Sequence, residues 1–182
     1  MFARFLVAAV TPNALRTSEA RFSWQALLAS AGAVMTVTLG CIVPFPAMAT
    51  LASRTLSRRA AVVALLAAVV LNQSIGFLWL GYPRTLETAI WAPVFALATL
   101  AAFFVSERIA AAPLAFVASF STYEIVLAAY TFATSHSLAA YAPSIVAQVA
   151  LGNAIGLAVL CPVYCAVVAI ERSTGRRTGA TE

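Results

Sequence analysis

The chain has 182 residues, of which 63% are hydrophobic and only 9% are charged, and its net charge is +5. A water-soluble domain carries about 25% charged residues, so this composition excludes a soluble protein and indicates an integral membrane protein with one compact domain. The positive charge comes from eleven arginines, since the chain contains no lysine. These arginines lie in short clusters beside apolar stretches, which is typical of cytoplasmic loops between membrane helices and not of a nucleic-acid-binding surface.

Apolar stretches divide the chain into six predicted helices. Residues 1–22 are predicted to form a cytoplasmic or interfacial segment, because their apolar run is too short for a cleavable signal peptide. A membrane-spanning helix needs about 20 apolar residues. The helices are predicted at residues 23–43, 46–56, 59–77, 87–105, 113–135 and 141–170. The expected fold is an all-α, polytopic membrane helix bundle over residues 23–172, with a short second helix and a cytoplasmic tail over residues 173–182.

The arginines decide the number of crossings. With six crossings, both termini are cytoplasmic and only Arg84 lies outside, whereas five crossings would place the arginines of residues 54–59 opposite those of the N-terminal segment. Because positive residues collect in cytoplasmic loops, we expect six crossings of a bacterial inner membrane. The same topology places four aromatic residues near the membrane interfaces, namely Trp24, Trp79, Tyr82 and Tyr141.

The stretch after the third helix has the residue types of a ligand-capping loop. Residues 76–85 combine glycines with aromatic rings and a cation, and aromatic rings give a large contact area at low entropic cost. An interfacial anchoring loop has the same composition, so both interpretations stay open. Two adjacent amides before the loop favour a binding site, because amides in lipid need a cavity or a partner. The candidate substrate-binding residues here are Asn72, Gln73, Phe77, Tyr82 and Arg84.

An acidic residue lies in the middle of the fifth predicted helix. Glu124 follows Tyr123 there, and an ionisable residue at that depth is a functional-site candidate. A structural hydrogen bond from Glu124 to Asn153 or Gln148 of the last helix is the alternative. Tyr123, Glu124 and Asn153 complete the set of candidate substrate-binding residues.

Small residues predict close helix packing at two places. One stripe of the last helix, with a spacing of four, contains Gln148, Gly152 and Gly156. In the first helix, Ala29 and Ala33 have the small-xxx-small spacing that supports association with another helix.

Several classes of function are excluded. The chain lacks a glycine-rich phosphate loop with lysine, so it does not hydrolyse ATP itself. Its single histidine, His136, cannot supply bis-histidine haem ligation. The absence of aspartate removes the usual acidic metal clusters, and Glu124 alone does not form the carboxylate chain of a proton pump. We therefore predict that the protein is not an enzyme and that it binds and passes a small molecule.

Six helices with a short second one, cytoplasmic termini and an outer loop rich in binding residues resemble the substrate-binding S components of energy-coupling factor vitamin transporters. Within that group, the stretch from Asn72 and Gln73 through Gly76 and Phe77 to residues 81–83 is similar to the solitary cobalamin transporters of the BtuM type.

This resemblance implies uptake of cobalamin or a related corrinoid through a pocket near the outer face, in which Tyr82 matches the family's pocket tyrosine. It also implies that Ala29 and Ala33 dock an energy-coupling transmembrane subunit that works with ATPases. Part of the family binds cobalt through a cysteine just before the tyrosine, and residues 77–81 contain none. The chain offers only Cys41 and His136 as weak alternatives, so we expect no resident metal or cofactor.

Two other functions compete with vitamin uptake. The first is a transporter or channel for a smaller solute, centred on Glu124. The second is a non-catalytic membrane subunit that anchors a larger complex and binds no ligand of its own.

Overall fold

The computed structural model describes residues 15, 17–39 and 43–178. Regular structure in these ranges is entirely helical. The elements are α1 (Ser18–Leu39), α2 (Phe45–Thr55), α3 (Arg58–Leu78), α4 (Leu86–Glu107), α5 (Ala112–Ser135), the short 3₁₀ helix η1 (Ala139–Tyr141) and α6 (Pro143–Thr178). Four of them, α3, α4, α5 and α6, are long and apolar enough to cross a membrane. The protein is therefore a multi-pass helical membrane protein.

The predicted helix bounds hold in the interior of the chain and fail at its two ends. The short second helix is confirmed, and α3, α4 and α5 match their predicted ranges closely. However, α1 already begins at Ser18, and α6 continues past residue 170 to Thr178. Both extensions are rich in polar residues, which prolong a helix in water without leaving a hydropathy signal.

One end of the bundle collects the basic residues, and we call it the arginine end. The start of α1 meets the end of α6 there, because the Thr17 backbone N–H donates to Glu171 Oε1 over 2.6 Å. The start of α1 also meets the end of α2, since Trp24 Nε1 donates to Thr55 Oγ1 over 2.9 Å.

The turn between α4 and α5 closes the same end. The Arg54 guanidinium of α2 donates to the carbonyl oxygens of Ser106, Ile109 and Ala110. Arg58 Nε lies 3.5 Å from Glu107 Oε2. The arginines at this end whose side chains are described are Arg21, Arg54, Arg58, Arg59, Arg108 and Arg172. Arg84 lies at the opposite end, in the turn between α3 and α4, so the predicted separation of the arginines is confirmed for these residues.

The short helix α2 fills the interior of the bundle. Nine of its eleven residues are buried, and it contacts each of the other five α helices in the described part of the chain. At 1.5 Å per residue its length is about 16 Å, roughly half of a 30 Å membrane core. Because Thr55 lies at the arginine end, the N-terminus of α2 stops near the middle of the bundle.

Three contacts hold that N-terminus in place. Asn153 Oδ1 of α6 accepts a hydrogen bond from the Ala47 backbone N–H over 3.3 Å. Ser119 Oγ of α5 donates to the Pro46 carbonyl oxygen over 3.2 Å. A Cβ atom at Gly156 would lie 2.6 Å from Pro44 Cβ, so only glycine allows α6 to approach so closely. The predicted packing role of the glycine stripe on α6 is confirmed at this position.

The small residues of α1 serve packing inside the chain. Ala29 is buried, and Gly32 faces Met48 of α2 and Ala68 of α3. Ala29 is therefore covered by the protein itself and presents no surface to a docking partner, while Ala33 is half-buried. Trp24 lies near the arginine end, but it is fully buried against Tyr164 with a ring-centroid distance of 5.0 Å. Its indole N–H is bonded to Thr55, so the ring packs against the protein, and its depth in the membrane stays a prediction.

Candidate functional site

A cavity of about 460 Å³ lies at the end of the bundle opposite the arginines, and we call it the aromatic cavity. Residues near the end of α3, the start of α4, the second half of α5 and the start of α6 line it, together with η1. Val43, which precedes α2, also reaches it. Phe45 of α2 packs against two lining rings, Phe95 at 6.3 Å and Tyr123 at 6.2 Å. The N-terminus of α2 is therefore the floor of the cavity.

The structure brings together five of the eight predicted substrate-binding residues. These are Asn72, Gln73, Tyr82, Tyr123 and Glu124. The other three lie outside the lining. Phe77 packs edge-on against Tyr82 at 6.3 Å, and exposed Arg84 borders a separate shallow depression. Asn153 is fully buried and caps α2, as described above.

The two amides of α3 form one polar unit in the cavity wall. Asn72 and Gln73 are buried, and Gln73 Nε2 donates to Asn72 Oδ1 over 3.0 Å. Neighbouring residues on a helix point in different directions, so this contact keeps the Gln73 amide near the cavity instead of in lipid. Amide groups in a largely apolar pocket fix the orientation of a bound molecule.

The turn after α3 holds Tyr82 against the cavity. The Tyr82 backbone N–H donates to the Gly76 carbonyl over 3.0 Å, and a Cβ atom at Gly76 would lie 2.4 Å from the Tyr82 ring. Gly81 has φ +70°, a left-handed conformation that glycine adopts without steric cost. Both glycines therefore position the tyrosine. Trp79 of the same turn is 80% exposed, as expected for an interfacial anchor.

The sequence interpretation missed two aromatic residues of the cavity, Trp91 and Phe95 of α4. Their ring centroids are 5.5 Å apart, and Trp91 also meets Tyr130 edge-on at 5.0 Å. With Phe45 and Tyr123 they form a continuous aromatic wall. Their spacing could have identified them, because Thr88, Trp91 and Phe95 recur every three to four residues and so share one face of α4.

Glu124 lines the cavity and is half-buried. The predicted alternative, a hydrogen bond to Asn153 or Gln148, does not form. The Asn153 amide is engaged with the Ala47 N–H and the Val149 carbonyl, and Gln148 is exposed. Among the described residues, the Glu124 carboxyl has neither a hydrogen-bond partner nor a salt-bridge partner.

Tyr141 of η1 also belongs to the cavity, although the sequence placed it only at a membrane interface. Its hydroxyl oxygen lies 3.2 Å from Thr131 Oγ1 of α5. Burial raises the pKa of Tyr141, the hydrogen bond with Thr131 opposes this effect, and the nearby Glu124 carboxylate adds to it.

Of the two weak candidates for cobalt contact, the structure describes only His136, and it lies away from this site. His136 caps α5 in the left-handed conformation with φ 53°, is exposed, and is not part of the cavity lining. Cys41 lies outside the described residues. Within the described ranges, no group of three His, Cys, Asp or Glu side chains is arranged to hold a metal ion.

Comparison of the chain with protein-family models, curated proteins and solved structures finds no match to any of them.

Proposed function

We propose that the protein is a bacterial inner-membrane transporter that binds a vitamin-sized solute in the aromatic cavity. The observation that carries this proposal is the position of the cavity, at the end of the bundle opposite the arginines. Its walls combine two amides, one carboxyl group and several aromatic rings in a helical membrane protein. Ligand pockets have this composition, with apolar and aromatic walls and a few placed polar groups.

The arginine end faces the cytoplasm in this proposal, because positive residues collect on that side. The start of α1 and the end of α6 both lie at this end, which supports two cytoplasmic termini and six crossings. In this topology the second of the six crossings contains α2, and this short helix occupies only the cytoplasmic half of the membrane. The cavity then faces outward, and the solute enters it from outside the cell.

The floor of the cavity gives a mechanism for release. Helix α2 separates the cavity from the arginine end, and its N-terminus is clamped by Ser119 and Asn153. A solute bound in the cavity reaches the cytoplasm when α2 moves aside or when the whole bundle rocks in the membrane. The resemblance to S components favours rocking, driven by an energy-coupling subunit and its ATPases. The buried position of Ala29 means that such a subunit would dock on another face than the one predicted.

The substrate that the resemblance implies is cobalamin or a related corrinoid. Pockets for drug-sized ligands measure about 300–1,000 Å³, so a cavity of about 460 Å³ holds only part of a corrinoid in this conformation. The rest of such a ligand would lie beneath the turn over residues 78–86. A smaller solute that reaches Glu124 is the second candidate, favoured by the unpaired carboxyl group in the lining.

Calorimetric titration of the detergent-purified protein with cobalamin, cobinamide and smaller vitamins tests the proposal. We expect saturable binding of at least one compound, with affinity reduced in Tyr82→Ala and Asn72→Ala. Trp79→Ala is the matched control, because this residue lies in the same turn and points away from the protein. Failure of every compound to bind the folded protein would contradict solute uptake and favour the structural-subunit alternative.

A further inference from the structure

The charge of the aromatic cavity is unbalanced. Among the described residues that line it, Glu124 is the one acidic residue, and none is an arginine or a histidine. The described arginines other than Arg84 lie at the arginine end, and Arg84 itself is exposed beside another depression. The chain has no lysine at all. The cavity therefore carries a carboxyl group for which no cation of the described residues is available.

An unpaired carboxyl group within a membrane domain is energetically costly. Such residues usually pair with another charge or face a polar cavity. The Glu124 carboxyl faces the cavity without a described partner, and its neighbours on α5 do not neutralise it. A ligand that brings a positive charge into the cavity would supply the missing partner.

The aromatic residues of the cavity favour the same kind of ligand. The faces of Trp and Tyr rings attract cations, and aromatic cages recognise organic ammonium groups. The lining contains five aromatic rings, four of them Trp or Tyr, from Tyr82, Trp91, Phe95, Tyr123 and Tyr141. They come from four separate parts of the chain, namely the α3–α4 turn, α4, α5 and η1.

Contacts within the protein hold several of these rings at the cavity without a ligand. Trp91 is fixed between Phe95 at 5.5 Å and Tyr130 at 5.0 Å. Tyr82 lies on Gly76, and Tyr141 is tied to Thr131. Preformed sites bind more tightly because fewer side chains lose freedom on binding.

We propose that the solute of the aromatic cavity is an amphipathic organic cation, whose positive charge pairs with Glu124 and whose flat apolar part lies against the aromatic wall. Asn72 and Gln73 then provide hydrogen bonds to the polar substituents of the ligand. This inference rests on the proposed function, because it names the chemical class of the solute that the same cavity takes up. It distinguishes this chain from a transporter of uncharged corrinoids.

A set of similar probes that differ in charge tests the inference on the wild-type protein. Nicotinamide is neutral, N1-methylnicotinamide is a permanent cation of almost the same shape, and nicotinate is an anion. We expect the cation to bind at least about 30-fold more tightly than the neutral amide, because only the cation gives the half-buried Glu124 carboxyl a partner of opposite charge. The anion should not bind. Calorimetry with detergent-purified protein provides the measurement, with cobalamin titrated in parallel.

Four variants, at Glu124, Glu87 and Trp91, locate the effect. Glu124→Gln keeps the size of the side chain and removes its charge, so the preference for the cation should disappear while nicotinamide binding persists. Glu87→Gln is the matched control, because Glu87 is exposed at the start of α4, at the same end of the bundle and outside the cavity lining. Trp91→Phe should keep most of the cation affinity, and Trp91→Leu should lower it about tenfold. Size-exclusion profiles show that each variant is folded.

Each outcome is decisive. Preference for the cation that depends on Glu124 and not on Glu87 supports the inference. Binding of cobalamin or nicotinamide with an affinity that neither probe charge nor Glu124→Gln changes would overturn it and leave solute uptake standing. Absence of binding by every probe, cobalamin included, would overturn both proposals together.

Discussion

The two ends of the bundle use their polar residues differently. At the arginine end, polar groups bond to the chain itself, as Arg54 does to three carbonyl oxygens and Arg58 does to Glu107. At the opposite end, Glu124 and several ring faces surround a cavity of about 460 Å³. Groups that are satisfied internally stabilise a fold, whereas groups that face an open volume are available to a ligand. Substitutions at the two ends should therefore affect different measurements.

The largest effect on stability is expected from a substitution between the two ends, where α6 meets the start of α2. Gly156→Leu would place a side chain where even a Cβ atom lies 2.6 Å from Pro44. Overpacking of this kind costs about 1–3 kcal/mol or more, so the melting temperature in detergent and the folded yield should both fall. Exposed Ala154→Leu, two residues earlier and on the other side of α6, is the control. Normal stability of Gly156→Leu would show that α2 is not clamped as described.

At the arginine end, Arg54→Ala should reduce stability without changing ligand affinity. It removes hydrogen bonds from a charged donor to three carbonyls, each worth about 1.5–3 kcal/mol when the donor is charged. Arg58→Ala is the comparison, because its pair with Glu107 is largely exposed and contributes about 0–1 kcal/mol. Thermal melting and calorimetric titration of both variants check this. A loss of ligand affinity in Arg54→Ala would contradict the view that the arginine end stabilises the fold and only the opposite end binds the ligand.

At the cavity end, Gly76→Ala should lower ligand affinity and leave stability almost unchanged, the reverse of Arg54→Ala. Its new Cβ atom would lie 2.4 Å from the Tyr82 ring and push this ring out of position. We expect ligand affinity to fall about tenfold, the result of losing one aromatic contact of 1–2 kcal/mol, with little change in melting temperature. Ser74→Ala, on the same helix, serves as the control. Unchanged affinity in Gly76→Ala would mean that Tyr82 does not contact the ligand.

The smallest effect on stability is expected for Glu124→Gln without ligand. Removing an unpaired charge should raise the melting temperature slightly, by the equivalent of up to about 1 kcal/mol, since functional residues often reduce stability. Thermal melting with and without the N1-methylnicotinamide cation measures the effect, and the ligand should stabilise the wild-type protein more than the variant. A clear loss of stability in the ligand-free variant would instead assign Glu124 a structural partner.

Much of the fold was predictable, because helix length and hydropathy are coupled in a membrane. The runs that became α3, α4 and α5 end at charged or turn-forming residues, and the structure ends them nearby. The extension of α6 to Thr178 left no such signal, since polar residues form helices in water as well. The number of crossings stays a prediction, although the described arginines divide as the positive-inside rule requires.

The candidate site was predictable where polarity identified it and not where it depended on packing. Asn72 and Glu124 are out of place in an apolar helix, so the sequence alone singled them out. Trp91 was missed because an aromatic residue in an apolar helix faces lipid as readily as a cavity. Asn153 was assigned to the ligand because its true partner, the Ala47 backbone of α2, is 106 positions away in sequence.

The depth of the cavity is set by the length of a single segment. The eleven residues of α2 begin at Phe45, which meets the rings of the cavity, and end at Thr55, at the arginine end. Each residue added to or removed from the start of α2 would move that floor by about 1.5 Å along the bundle. The size of molecule that such a protein accepts is therefore adjustable by insertions and deletions near Pro44, without any change to the side chains that recognise it.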